Sequence, residues 1–187
     1  MELKNYGYLR DTLPSELLTS LKKECDEAEE NNAKVVTNLT TTYPKTSNHY
    51  DLGEENKNSL FHFVQDFIEE YEKVFGYISL WKLLDNNLPF VFGDPWINIQ
   101  KDSHYIPVHT HDGVYSYTCW INLPTESIFE FIYSSTIGVS LSHQINLTPK
   151  DEGGIIIFPA LLQHCVHPVS THGKRISISG NIMLKTG

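Results

Sequence analysis

The chain has 187 residues and a mass of 21.4 kDa, enough for one domain that buries a sizeable core with no disulfide or structural metal to hold it. Hydrophobic residues make up 40% and charged residues 20%, which is ordinary for a globular protein and wrong for a disordered one. With 14 basic residues against 23 acidic ones, the net charge of −9 repels a phosphate backbone and excludes general nucleic-acid binding, and no run of eighteen apolar residues offers a membrane span.

Thr12, Leu13 and Pro14 open a first helix, with proline tolerated in the first turn. Leu17, Leu21, Cys25 and Ala28 then recur at steps of four, four and three, one apolar stripe backed by the solvated acidic face Glu24 to Glu30. The polar stretch Asn31 to Asn58 reads as a long loop with a short strand at Lys34–Thr37, of a length that often serves as a lid. Leu60, Phe63, Val64, Phe67, Ile68, Tyr71 and Phe75 keep helical spacing over four turns until Gly76 stops the second helix. His62, between apolar neighbours, reads as structural or surface.

The period then changes to short apolar or alternating runs bounded by Gly, Pro, Asn and Asp. They are Tyr77–Leu84, Trp96–Lys101, Tyr105–His109, Val114–Leu123, Ile128–Tyr133, Gly138–Leu147, Gly154–Phe158, His164–Val169 and Arg175–Leu184. Strands this closely spaced, with no helix between them, predict an antiparallel sandwich or barrel. The expected organisation is a single domain over 1–187, with a helical flank and loop at 1–76 and a β-core at 77–187. The N-terminus lacks the charged-then-apolar pattern of a signal peptide. Cys25, Cys119 and Cys165 are odd in number and far apart, so they read as free thiols in a reducing compartment, and a cytoplasmic location is expected.

Seven of the nine histidines lie after residue 100, a skew that bulk composition does not explain. Residues i and i+2 of a strand share a face, so His109 and His111 can converge on one point, and Asp112, at the start of a turn, is an alternative to His111 as a ligand. Neutral imidazoles suit iron, zinc, copper or nickel. In the last strand Arg175, Ser177 and Ser179 share one face while Ile176, Ile178 and Ile182 share the other. Arg can hold a carboxylate in a two-pronged pair, and a serine hydroxyl two residues on can add a third bond. Ser116, Thr118, Trp120 and Asn122 form a face polar enough to line a pocket, and Asn98 and Gln100 are candidates for the same cavity. His104, His143 and His172 read as surface residues, and His167 as structural, with a supporting contact to a metal ligand as the alternative.

The combination of His109-x-His111, a strand ending in Phe158-Pro159, the distal His164 and Arg175-x-Ser177 resembles the iron(II)/2-oxoglutarate-dependent oxygenases. The similarity is greatest to oxygenases of bacteria and phages with His-x-His in place of His-x-Asp/Glu, and more distant to the prolyl and aspartyl hydroxylases. It spans roughly Trp96 to Met183. The resemblance implies a double-stranded β-helix, a jelly-roll or cupin-like barrel, mainly β and supported by the N-terminal helices. It implies Fe(II) held by His109, His111 and His164, with Asp112 in place of His111 as the other option. It implies 2-oxoglutarate held by Arg175 and Ser177, with Tyr117 and Tyr133 as candidates for an aromatic hydroxyl on the cofactor.

The implied reaction consumes O2 and 2-oxoglutarate, releases succinate and CO2, and oxidises a C–H bond, most simply by hydroxylation, with a protein side chain such as a peptidyl proline as the suggested substrate. Monomer and homodimer both fit. Two other classes remain open at this point: a cupin-type metalloenzyme that needs no 2-oxoglutarate, and a β-sandwich binding module with incidental histidines. Arg175 inside the barrel beside the histidines favours the oxygenase, Arg175 in solvent favours the cupin-type enzyme, and diverging histidines favour the binding module.

Overall fold

The computed structural model describes residues 6–30, 48–80, 90–101, 103–169 and 173–185. Its elements run β1 (Leu9–Thr12), α1 (Ser15–Glu30), β2 (Asn48–Asp51), α2 (Glu54–Phe75), β3 (Phe90–Phe92), β4 (Trp96–Gln100), β5 (Ile106–His109), β6 (Tyr115–Asn122), β7 (Ser127–Ser134), β8 (Ser140–Leu147), β9 (Gly154–Pro159), β10 (Gln163–Val166) and β11 (Arg175–Leu184).

Both helices form where the apolar stripes put them. Leu21, Cys25 and Ala28 of α1 and Leu60, Val64, Phe67, Ile68 and Tyr71 of α2 are buried, while His62 is exposed. Gly76 closes α2 in the left-handed region (φ 59°, ψ 34°), where its N–H donates to the Glu72 carbonyl, a conformation that costs a residue without Cβ least. Leu60 is fully buried, and Leu60→Ala is expected to cost about 2–5 kcal/mol. At roughly 2–4 °C per kcal/mol for a domain of this size, a thermal melt reads that directly.

Two predicted elements change. The expected strand Tyr77–Leu84 begins instead as a 3-10 turn, Tyr77–Leu80, because the Glu72 carboxylate accepts the Ile78 N–H at 3.1 Å and curls the chain back on the helix end. At the far end of the expected loop Asn31–Asn58, β2 pairs with β4 and α2 starts at Glu54, while residues 31–47 lie outside the described residues. The polar residues there are satisfied by α1: the Glu24 carboxylate accepts from the Gly53 N–H and from Asn56 Nδ2, and Asn56 is buried. The expected strand Lys34–Thr37 lies outside the described residues.

Among the described residues, the strands form two antiparallel sheets. The larger runs β1-β9-β6-β11-β4-β2, with β3 also paired to β11, and the smaller runs β5-β10-β7-β8. β1 and β2 come from the segment read as a helical flank, so that segment supplies both outer strands of the larger sheet's order. β1 escapes sequence reading because its side chains are mostly exposed, and its backbone pairing with β9 holds it.

The larger sheet is covered on both faces. Tyr115, Cys119, Ile155, Ile157, Ile97, Ile99, Ile176 and Ile178 pack with the helices. Trp120, Ile156 and Phe158 pack on the other side with Phe129, Phe131, Ile145 and Val166 of the smaller sheet. Facing sheets with helices on one outer side make the double-stranded β-helix. The space between the sheets holds the polar face of β11.

Candidate metal centre

Three histidines meet between the sheets. His109 ends β5 and lies directly across from His164 on β10, so strand pairing brings these two together over a long stretch of chain. His111 lies past the end of β5, and strand alternation does not place it. Its N–H donates to the Ala160 carbonyl at 2.9 Å, and the following Val114 N–H donates to the Ile182 carbonyl at 2.8 Å. Gly113 makes that turn possible: its φ is +122°, and a Cβ there would come within 2.7 Å of the Ile182 oxygen.

The geometry aims nitrogen lone pairs at one point. One nitrogen from each ring lies within 4.8 Å of the others, and the Nε2 atoms of His109 and His111 are 3.2 Å apart. His109 Nδ1 donates to the Pro107 carbonyl at 2.8 Å, and His164 Nδ1 to the Leu162 carbonyl at 2.9 Å. Those bonds fix the tautomer and leave each Nε2 as an acceptor, the usual way a protein presents imidazole to a metal. Burial holds all three imidazoles below the ordinary histidine range. His111 is pushed down to about 3 by burial and by the neighbouring His109. Neutral, converging imidazoles could hold a metal ion.

Apolar rings brace the cluster. Phe129 stacks on His164 (centroids 5.3 Å apart, planes 13° apart), Phe158 meets the same ring edge-on at 4.9 Å, and Trp96 packs beside His111 at 5.8 Å.

Arg175, Ser177 and Ser179 line the cavity that the histidines line. Arg175 is 1% exposed, and among the described residues its Nε and Nη1 have no hydrogen-bond partner. Burial pushes its pKa down to about 10, so it remains a cation at neutral pH. A buried cation with unused donors is costly unless an anion completes it. Ser179 Oγ donates to Thr118 Oγ1 and accepts from Asn98 Nδ2, both at 3.1 Å, and Asn98 Oδ1 in turn accepts from Trp96 Nε1 at 3.0 Å. This network holds the cavity wall next to Ser177.

Other candidates fall elsewhere. Asp112 is exposed and outside the ligand cluster. Tyr117 borders the cavity, but its ring belongs to the helix-side core and its hydroxyl lies over Gly180, where a Cβ would be 2.3 Å from it. Tyr133 lines a separate cavity with Tyr6, Tyr8, His143 and Leu161, because β7 carries it past the end of the inner aromatic pair Phe129 and Phe131. Gln100, across from Arg175 in register, is buried but does not border the cavity. His143 is exposed, and His104 Nδ1 accepts the Lys101 N–H at 3.2 Å. His172 lies outside the described residues.

Sequence reading missed Trp96 and His49 as wall residues. Trp96 was legible as the first residue of a strand whose same-face partners were Asn98 and Gln100, whereas nothing in the polar stretch around His49 marked it.

Residues 94–181 match the family described as "Putative 2OG-Fe(II) oxygenase". A search of curated proteins returned no match. Among solved structures, the chain is similar to a prolyl-4-hydroxylase of Pseudomonas putida, at 13% identity and TM-score 0.66, over 97% of this chain and 94% of that one. It is similar to a viral collagen prolyl hydroxylase of Paramecium bursaria Chlorella virus-1, solved with 2OG, at 13% identity and TM-score 0.59, over 95% and 96%. It is also similar to SnoN, a non-heme alpha-ketoglutarate-dependent epimerase of nogalamycin biosynthesis, at 12% identity and TM-score 0.60, over 95% of this chain and 76% of that one.

Proposed function

We propose that the chain is an iron(II)/2-oxoglutarate-dependent oxygenase, in keeping with the family match over residues 94–181, and a hydroxylase whose iron is held by His109, His111 and His164 and whose 2-oxoglutarate is clamped by Arg175 and Ser177. The observation that carries the reading is the shared cavity: three converging imidazoles and a buried arginine with unused donors, lined together. A metal site alone would not need Arg175. An anionic cosubstrate beside the metal gives the cation its counter-charge.

The donor set fits iron, since three nitrogen ligands on one side leave the other positions open. The family's cofactors are Fe(II) and 2-oxoglutarate, and together they supply the oxidising power, O2 being consumed as 2-oxoglutarate becomes succinate and CO2.

The residues do the rest. His109 and His164 present Nε2 in a tautomer that backbone carbonyls have fixed in advance. Arg175 orients the far carboxylate of 2-oxoglutarate, with the Ser177 hydroxyl as the added donor. Trp96, Phe129 and Phe158 keep bulk water from the imidazoles. The substrate proposed is a protein side chain, in keeping with the prolyl hydroxylases among the similar structures.

The test is anaerobic addition of Fe(II) and then 2-oxoglutarate to the purified protein, followed by visible absorption. A charge-transfer band that needs both is expected, and its absence overturns the reading. A companion pair separates the two candidates for the second ligand. His111→Ala is expected to weaken iron by more than roughly 10-fold, the lower bound for losing even an outer partner of a metal ligand, while Asp112→Ala leaves iron affinity unchanged.

A further inference from the structure

The smaller sheet carries a second ligand cluster, on the side away from the histidine site. Glu130 on β7 and Cys165 on β10 are directly opposed across the strand pair. Neighbouring residues point to opposite faces, so Cys165 faces outward where His164 faces in. His167 is two residues beyond Cys165. Its N–H donates to the Ile128 carbonyl at 3.0 Å, which prolongs the pairing with β7 by one step and keeps His167 on the face of Cys165. His167 Nε2 and Glu130 Oε2 are 2.7 Å apart, Cys165 Sγ lies 3.8 Å from the same oxygen, and all three ligand atoms fall within 4.8 Å of one another. Gln144, opposite Glu130 on β8, donates Nε2 to Glu130 Oε1 at 3.2 Å and steadies the carboxylate.

We propose that Glu130, Cys165 and His167 form a second metal site, of the zinc class, on the outer face of the β5-β10-β7-β8 sheet. One sulfur, one nitrogen and one oxygen suit zinc, and the thiolate separates this site from the all-nitrogen inner one. Zinc bonds of about 2.0–2.3 Å in tetrahedral array set ligand atoms roughly 3.3–3.7 Å apart. The observed separations of 2.7 and 3.8 Å bracket that span, so small side-chain rotations close the site. The three side chains are partly exposed, which gives the ion an entry path and leaves a fourth position for water. A metal there ties β7 to β10, the strand that carries His164 on its other face.

Cobalt(II) is the probe, because only a thiolate ligand produces the near-ultraviolet sulfur-to-cobalt charge-transfer band and the inner site has no sulfur. The reduced wild-type protein is expected to take up two cobalt equivalents and show the band, and added zinc is expected to bleach it. Cys165→Ser is expected to lose the band and one equivalent, while His109→Ala keeps the band. Glu130→Gln, which preserves shape and hydrogen bonding, is expected to weaken cobalt at this site at least 10-fold and keeps the test decisive if Cys165→Ser folds poorly. No band in the wild type at saturating cobalt, or a band that survives Cys165→Ser, overturns the proposal and leaves a hydrogen-bonded His–Glu pair beside a thiol.

Discussion

His164→Ala is expected to abolish iron binding, with a loss of more than roughly 100-fold in affinity, since changing even an outer-sphere partner of a metal ligand costs about 10–100-fold. The residue is the hub of the inner cluster. It pairs with His109 across the strands, its Nδ1 is committed to the Leu162 carbonyl, and Phe129 and Phe158 pack on its ring. Its 3% exposure means that alanine also opens a void against those rings, so some stability falls with the metal. An anaerobic Fe(II) titration, run beside a thermal melt, separates the two effects. A folded His164→Ala protein that binds iron as tightly as the wild type removes His164 from the ligand set.

Arg175→Met is expected to behave in the opposite way in the two states. Without cosubstrate, the substitution removes a buried cation with unused donors and puts a shorter, unbranched apolar chain in its place. The protein is therefore expected to hold or gain stability, by up to about 1–4 kcal/mol, as when buried charges are replaced by well-packed hydrophobic groups. With 2-oxoglutarate, the charge-assisted bonds proposed between Arg175 and the carboxylate are gone. Hydrogen bonds to charged groups are worth about 1.5–3 kcal/mol, so affinity for 2-oxoglutarate falls roughly 10- to 150-fold while iron affinity stays. The readout is the thermal shift that 2-oxoglutarate induces: present in the wild type, reduced in Arg175→Met at the same 2-oxoglutarate concentration. An undiminished shift removes the clamp and favours a metalloenzyme that takes no 2-oxoglutarate.

The helices were legible because each buries one stripe: Leu21, Cys25 and Ala28 repeat at helical spacing, and so do Leu60, Val64, Phe67 and Tyr71. The β-core was legible because short apolar runs alternate with turn residues. The last strand also declared its two faces, Arg175 and Ser177 against Ile176 and Ile178, and the structure sends them to the cavity and to the helix-side core respectively. β1 and β2 were not legible, since their pairing with β9 and β4 is a backbone interaction that leaves little apolar pattern. The turn at Tyr77–Leu80 was misread as a strand because the Glu72 carboxylate that shapes it acts through a side chain, which no periodicity reports.

Residue identity and local period alone set the candidate ligand types, the spacing His109-x-His111, and the composition of the β11 face. The tertiary structure decided which residues meet. His109 and His164 become neighbours only through the β5–β10 register, and His111 reaches them through a bond to Ala160 and a turn at Gly113 rather than through strand alternation. The same strand pairing sets Cys165 and His167 against Glu130 on the opposite face. Tyr117 and Tyr133 share the apolar patterning of their strands, yet one hydroxyl ends over Gly180 and the other residue in a separate cavity, because the depth of a side chain along a barrel is set by how the strands are staggered. That stagger is a property of long-range pairing, and no local pattern encodes it.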